Sequence, residues 1–155
     1  EPTTVPTAEI SVDTLILATI ELINYFRKSY ITINYNKPKD KDLKILGKQT
    51  ELELAIMNIL LNAVYACENI PDALIEIESL LKDDKINILI SHNGMAIPTE
   101  NLEEIFNPLS VAHFKNKQYW IGLSVSKKII TQHNGEIRVK QLQDKTEFTI
   151  EFKIS

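Results

Sequence analysis

The sequence predicts an α+β domain: a two-layer sandwich in which a mixed, mostly antiparallel sheet is covered on one face by about three helices. Two observations carry this. Segments with an apolar period of two (residues 30–35, 73–81, 86–91, 136–139 and 147–154) alternate with segments whose apolar residues recur every three or four positions (13–28, 51–67 and 122–133). The later strands also come in adjacent pairs: a short polar turn at Asp83-Asp84 joins the first pair, and Asn134-Gly135 is a strong turn signal ahead of the two strands that close the chain as a hairpin. With 155 residues, of which 44% are hydrophobic, the chain suffices for one core and is read as one domain over 10–155.

Residues 1–9, with two prolines and three threonines, read as a loose lead-in. Ile10 to Val12 predicts a short strand. Asp13 or Thr14 then caps a helix running to about Lys28, with Leu17, Ile20, Ile23 and Phe26 turned toward the core. Tyr30 to Tyr35 is a strand with one covered face, and the lysine-rich run after it a solvated turn. Leu43 to Leu46 is a brief extended piece broken at Gly47. The helix from Glu51 to Cys67 presents Leu54, Met57, Leu61 and Val64 as its apolar face, flanked by Ile56 and Leu60. A neighbouring stripe carries Glu51, Ala55, Asn58, Asn62 and Ala66. Two asparagines four residues apart have poor helix propensity, and each brings an amide to the edge of a core. Two paired strands follow, then a helical turn over Asn101 to Phe106, a helix over Gly122 to His133, and a closing hairpin.

The net charge of −4 offers no global basic field for nucleic acid or an anionic membrane, so neither is expected as a partner. Cys67 is the only cysteine, which excludes an internal disulfide and suits a reducing, cytoplasmic setting. A chain that begins Glu-Pro reads as a piece of something longer. Its four glycines, against roughly eleven at an average usage of about 7%, leave few places for backbone to approach phosphate.

Four segments in order then resemble the ATP-binding catalytic domain of sensor histidine kinases, in the GHKL or Bergerat-fold ATPase family: NILLNA (58–63), HNGMAIP (92–98), IFNPL (105–109) and IGLSVSKKIITQHNGEI (121–137). The resemblance implies a two-component signalling role with ATP and Mg²⁺ as cofactors. It also implies a helical dimerisation and phosphoacceptor domain, with a response-regulator receiver, as partners. By this resemblance Asn62 is the Mg²⁺ ligand and Asn58 the polar position one turn earlier, the one candidate for a catalytic role. Tyr65 stands where a basic residue meets phosphate. His92 stands where a carboxylate accepts from the adenine amino group, and a neutral imidazole has at most one acceptor nitrogen. Gly94 and Ile97 belong to the same loop, and Ala96 replaces its second glycine. In the phosphate loop only Gly122 survives, preceded by Trp120 and followed by Leu123.

Losing a charge-assisted hydrogen bond costs about 1.5 to 3 kcal/mol, and with two glycine replacements and a missing cation the loss reaches about 4 to 6 kcal/mol. At a factor of ten per 1.4 kcal/mol, a micromolar site becomes millimolar. The expectation is a degenerate, pseudokinase-like domain that binds ATP weakly or not at all and works through protein contacts. The alternatives are an active ATP-dependent protein-histidine kinase domain and a phosphorelay adaptor. His92, His113 and His133 read first as structural, with no metal-site spacing. Phe114, Tyr119 and Trp120 read as local core or as rings folded into the nucleotide cavity.

Overall fold

The computed structural model describes residues 7–38, 42–112 and 120–154, so His113, Phe114 and Tyr119 lie outside the described residues. In chain order the elements are β1 (Ala8–Ser11), α1 (Val12–Ile23), β2 (Thr32–Asn36), β3 (Lys44–Gly47), α2 (Gln49–Ala66), β4 (Leu74–Lys82) and β5 (Lys85–His92). A 3-10 turn (Thr99–Asn101) leads to α3 (Pro108–Val111), α4 (Leu123–Gln132), β6 (Glu136–Gln141) and β7 (Thr146–Lys153). The main sheet has the order β2-β4-β5-β7-β6, with β2 parallel to β4 and every other neighbour antiparallel. The α+β sandwich expected from the sequence is therefore present. β1 and β3 form a separate antiparallel ribbon, Ala8 opposite Gly47.

The core lies between this sheet and the helices. Ile77, Ile90 and Phe148 stand side by side across β4, β5 and β7, all fully buried, while outward positions such as Glu78 and Lys140 are exposed. α2 lies between α1 and α4 and touches both. The β4–β5 hairpin turns through Asp83 and Asp84, with φ of 53° and 62°, the left-handed pair that suits a two-residue connection.

The expectations for two helices are corrected. α1 is capped by Ser11, whose hydroxyl accepts from the Thr14 amide, and it ends at Ile23 instead of Lys28. Its inward residues are Leu15, Ile16, Thr19 and Ile23; Leu17 and Phe26 are 49% and 59% exposed. Arg27 accounts for the early stop: its side chain bonds Asn24 Oδ1 and the Ile31 carbonyl, turning the chain toward β2. On α2 the buried face is Leu52, Ala55, Ile56, Ile59, Leu60, Ala63 and Val64, while Leu54 is exposed and Met57 and Leu61 are half-buried. The helix carries two apolar stripes. α4 selects the one with Ala55 and Ala63, where small side chains let the helices close and the buried Ser126 hydroxyl donates to the Ala55 carbonyl at 2.7 Å. Asn134-Gly135 makes the expected turn and closes α4, with Asn134 at φ 60° and the Gly135 amide on the Ile130 carbonyl; the β6–β7 hairpin itself turns where Leu142 N–H meets the Lys145 carbonyl.

His133 ties the ends of two helices together. Its Nδ1 lies 2.8 Å from the Ile129 carbonyl, and its Nε2 accepts from the Lys48 amide at 3.1 Å. Lys48 is the N-cap position of α2 and has no side-chain cap, so the imidazole serves as a tertiary one. The expected result of His133→Ala is a loss of about 2 kcal/mol in denaturant unfolding, since the Lys48 amide is left without its acceptor. Nitrogen-15 spectra of the parent chain should show the proton on Nδ1; finding it on Nε2 contradicts this role.

Candidate functional site

A cleft of about 540 Å³ opens where the middle of α2 meets the start of α4, walled by Asn58, Leu61, Asn62, Tyr65, Glu68, Ile121 and Gly122. It exists because α2 turns a mixed stripe toward it. Leu61, Tyr65 and Glu68 follow one another at helical spacing, and Asn58 and Asn62 lie one turn apart beside them. Asn62 is 3% exposed and Tyr65 40% exposed, so the amide sits at the floor and the ring at the rim.

Asn58 and Gly122 are joined sterically. A Cβ at residue 122 would lie 2.7 Å from Asn58 Oδ1 and 2.8 Å from its Cγ. A side chain at 122 therefore displaces Asn58, which gives this glycine a packing reason independent of any ligand. Gly122 is also the N-cap of α4 and supplies no side-chain cap; the Leu123 amide donates instead to the Trp120 carbonyl at 3.1 Å.

The other four-residue cluster named from the sequence forms a separate group at the end of β5. His92 is 2% exposed, and its Nδ1 accepts from the Gly94 amide at 3.0 Å. Burial moves its pKa down from 6.5 to about 4, so the ring is neutral near pH 7, with its one proton on Nε2. The single acceptor of the imidazole is thus already used by its own loop. Gly94 is held as closely: a Cβ there would meet the Ala66 carbonyl oxygen at 2.3 Å and the Cys67 nitrogen at 2.8 Å. Met95 donates to the same Ala66 carbonyl at 2.8 Å, so the loop is stitched to the C-terminal end of α2. The buried Cys67 thiol beneath it is pushed up to about 11, mainly by burial, and stays protonated.

Of the remaining candidates, Ala96 is exposed, Ile97 is buried and Leu123 fully buried. Trp120 is 4% exposed and belongs to the core, and among the described residues a space is left beside Asn62 that the indole does not fill. Sequence reasoning missed Gln141 and Thr146. Gln141 Oε1 accepts from the Ile97 amide at 2.9 Å and from the Thr146 hydroxyl at 2.6 Å, and Thr146 is buried directly across the sheet from His92. A glutamine at a strand end carries no periodic signal that could have marked it. Among the described residues no group of three metal-binding side chains of the His, Cys, Asp or Glu type comes together. No helix among them is long and apolar enough to cross a membrane.

Comparison with known proteins agrees with this geometry. Residues 47–155 match the family model described as histidine kinase-, DNA gyrase B-, and HSP90-like ATPase. The chain is 29% identical over 121 residues to the C4-dicarboxylate transport sensor protein DctB of Rhizobium meliloti, covering 78% of this chain and 19% of that protein. It is 31% identical over 121 residues to the adaptive-response sensory kinase SasA of Synechocystis, covering 74% of this chain and 30% of SasA. The chain thus spans less than a third of either relative. Among solved structures, the nucleotide-free catalytic domain of histidine kinase ThkA superposes with a TM-score of 0.79 at 25% identity, covering 96% of this chain and 97% of that one. ThkA in complex with response regulator protein TrrA matches with a TM-score of 0.78 at 22% identity, covering 96% of this chain and 42% of that one.

Proposed function

Because this chain belongs to the histidine kinase-, DNA gyrase B-, and HSP90-like ATPase family, we propose that it is the catalytic-domain module of a two-component sensor kinase whose grip on ATP is weak, and that it signals mainly through protein contacts. One observation carries the weak grip. His92, in the place of the adenine-selecting carboxylate, is neutral, buried and already accepting from Gly94. It offers a purine amino group neither charge nor a spare acceptor.

The two ends of the site differ in how they fit a nucleotide. At the phosphate end Asn62 supplies an amide oxygen of the kind Mg²⁺ accepts, with Asn58 and the start of α4 alongside. A Mg²⁺ held by Asn62 would supply positive charge against the phosphates. Tyr65 brings no cation to that end, and the base end does not suit adenine. Retention of Gly94 and Gly122 is weak support for nucleotide binding, because each glycine is already demanded by a neighbour within 3 Å.

The proposed partners are a helical phosphoacceptor domain and a receiver domain. The complex of ThkA with TrrA supports the second. Calorimetric titration of this chain with ATP and Mg²⁺ is expected to give millimolar or weaker affinity, and His92→Asp to strengthen it about tenfold, the value of one recovered charge-assisted bond. An aspartate there keeps the turn, since its carboxylate can accept from Gly94 in place of Nδ1. Micromolar binding by the parent chain, with phosphohistidine formed on an added helical domain, would instead make it a working kinase domain.

A further inference from the structure

The main sheet ends on two edges that are guarded differently. β6 carries Glu136, Arg138 and Lys140, all exposed, the kind of side chains that keep a free edge from pairing. β2, Thr-Ile-Asn-Tyr-Asn, has no formal charge, no proline and an unbroken register with β4, its one neighbour among the described residues. The Thr32 amide donates to the Ala73 carbonyl at 2.9 Å, so Thr32, Asn34 and Asn36 turn their backbone groups to β4, and Ile33 and Tyr35 turn theirs to the outer edge. Ile31, next along that edge, is closed: its amide donates to the Lys28 carbonyl and its own carbonyl accepts from Arg27. The N–H and C=O of Ile33 and of Tyr35 are left facing outward with no partner among the described residues.

We propose that this edge pairs with the same edge of a second copy of the chain, antiparallel about a two-fold axis at Asn34. In that register Ile33 and the partner's Tyr35 exchange both N–H to carbonyl bonds, and Tyr35 and the partner's Ile33 do the same, so every open group on the edge is satisfied. On the inner face each pair sets a β-branched side chain against an aromatic one, a favourable cross-strand combination, and both are only half-buried in the single chain. On the outer face Asn34 meets itself, and two amides can bond each other. The one titratable group of β2, the Tyr35 phenol, is pushed up to about 12 by burial and bonds Ser79 at 3.0 Å, so the strand itself brings no like charges together. α1 lies beside this edge: Asp13, in its first turn, also acts on the Tyr35 phenol, and Leu17 and Ile20 follow on that flank, 49% exposed and half-buried, as apolar surface a second copy would cover. A foreign strand could take the same backbone bonds; the match of β2 to itself at this register favours a second copy.

The test is sedimentation of the 155-residue chain over a concentration series, with hydrogen exchange read at backbone amides. A reversible dimer is expected. As it forms, the Ile33 and Tyr35 amides gain protection, while those of Thr32, Asn34 and Asn36, already bonded to β4, stay as they were. Asn34→Lys and Asn34→Asp, at an exposed position clear of the core, each set a charge against its own copy and are expected to weaken the dimer about fivefold. Mixing the two variants is expected to restore it, since lysine then faces aspartate. A parent chain that stays monomeric overturns the inference, and so does a dimer that neither variant weakens or a loss that mixing does not restore. If a monomeric parent chain instead takes up an alternating Thr-Ile peptide at the Ile33 and Tyr35 amides, the edge belongs to a strand of another protein, which also overturns it. ATP affinity enters none of these outcomes, so the inference stands or falls apart from the nucleotide reading.

Discussion

Acidification from pH 6.5 to 4 is expected to cost this domain about 3 kcal/mol of stability through His92 alone, and His92→Asn is expected to abolish that part of the loss. The sign follows from where the proton binds. In the unfolded chain the imidazole has an ordinary pKa near 6.5 and takes a proton below it. In the folded chain burial holds the pKa at about 4, so the unfolded state binds the proton first. The penalty is absent above pH 6.5, grows as the pH falls, and is complete near pH 4. His92 is 2% exposed at the end of the central strand, so water cannot screen the charge once it forms. Protonation at Nδ1 would also remove the acceptor that holds the Gly94 amide. Asparagine at 92 cannot titrate and keeps an oxygen for Gly94. Urea unfolding at half-unit steps of pH on both chains measures the difference, and parallel acid limbs would show that the imidazole is solvated or already charged.

Gly94→Ala is expected to destabilise the fold by about 3 kcal/mol, more than a typical surface substitution and comparable to overpacking a core. The added methyl meets backbone: the Ala66 carbonyl oxygen at 2.3 Å, its carbon at 2.5 Å and the Cys67 nitrogen at 2.8 Å. No rotamer change relieves a clash with the last turn of α2. Either the loop lifts, breaking the Met95 to Ala66 bond, or the helix end unwinds. Gly122→Ala meets mainly a side chain, Asn58, which can move, so its cost should be smaller. At about 2 to 4 °C per kcal/mol for a chain of this size, the two variants should separate clearly in a melting curve. If Gly94→Ala melts with the parent chain, the loop is not seated on α2. The result bears on function as well, because a glycine kept for helix packing survives whether or not a nucleotide binds.

Strands were the most legible part of the fold. β4, β5, β6 and β7 fall within two residues of their expected bounds, because apolar residues recur at every second position along most of each strand, as in Ile86, Ile88 and Ile90 or Phe148, Ile150 and Phe152. Helix existence was legible and helix rotation was not. α2 carries two apolar stripes, and nothing in its own sequence says which one α4 covers; Leu54, the first residue of the favoured stripe, is 48% exposed. The candidate site divided in the same way. Asn58, Asn62, Tyr65 and Gly122 line one cleft. Glu68, two residues past the end of that helix, and Gln141, on a strand far along the chain, had no motif to mark them.

The order of elements and the family could be read from the chain alone, because periodicity and the spacing of four short motifs run along its length. What the retained residues do depended on packing in three dimensions. The Gly94 to Ala66 approach, the His133 bond to Lys48 and the Asn58 to Gly122 contact each join residues 28 to 85 positions apart. Their distances are set by how helices settle on the sheet, and a difference of 1 Å there separates a glycine kept for packing from one kept for a ligand.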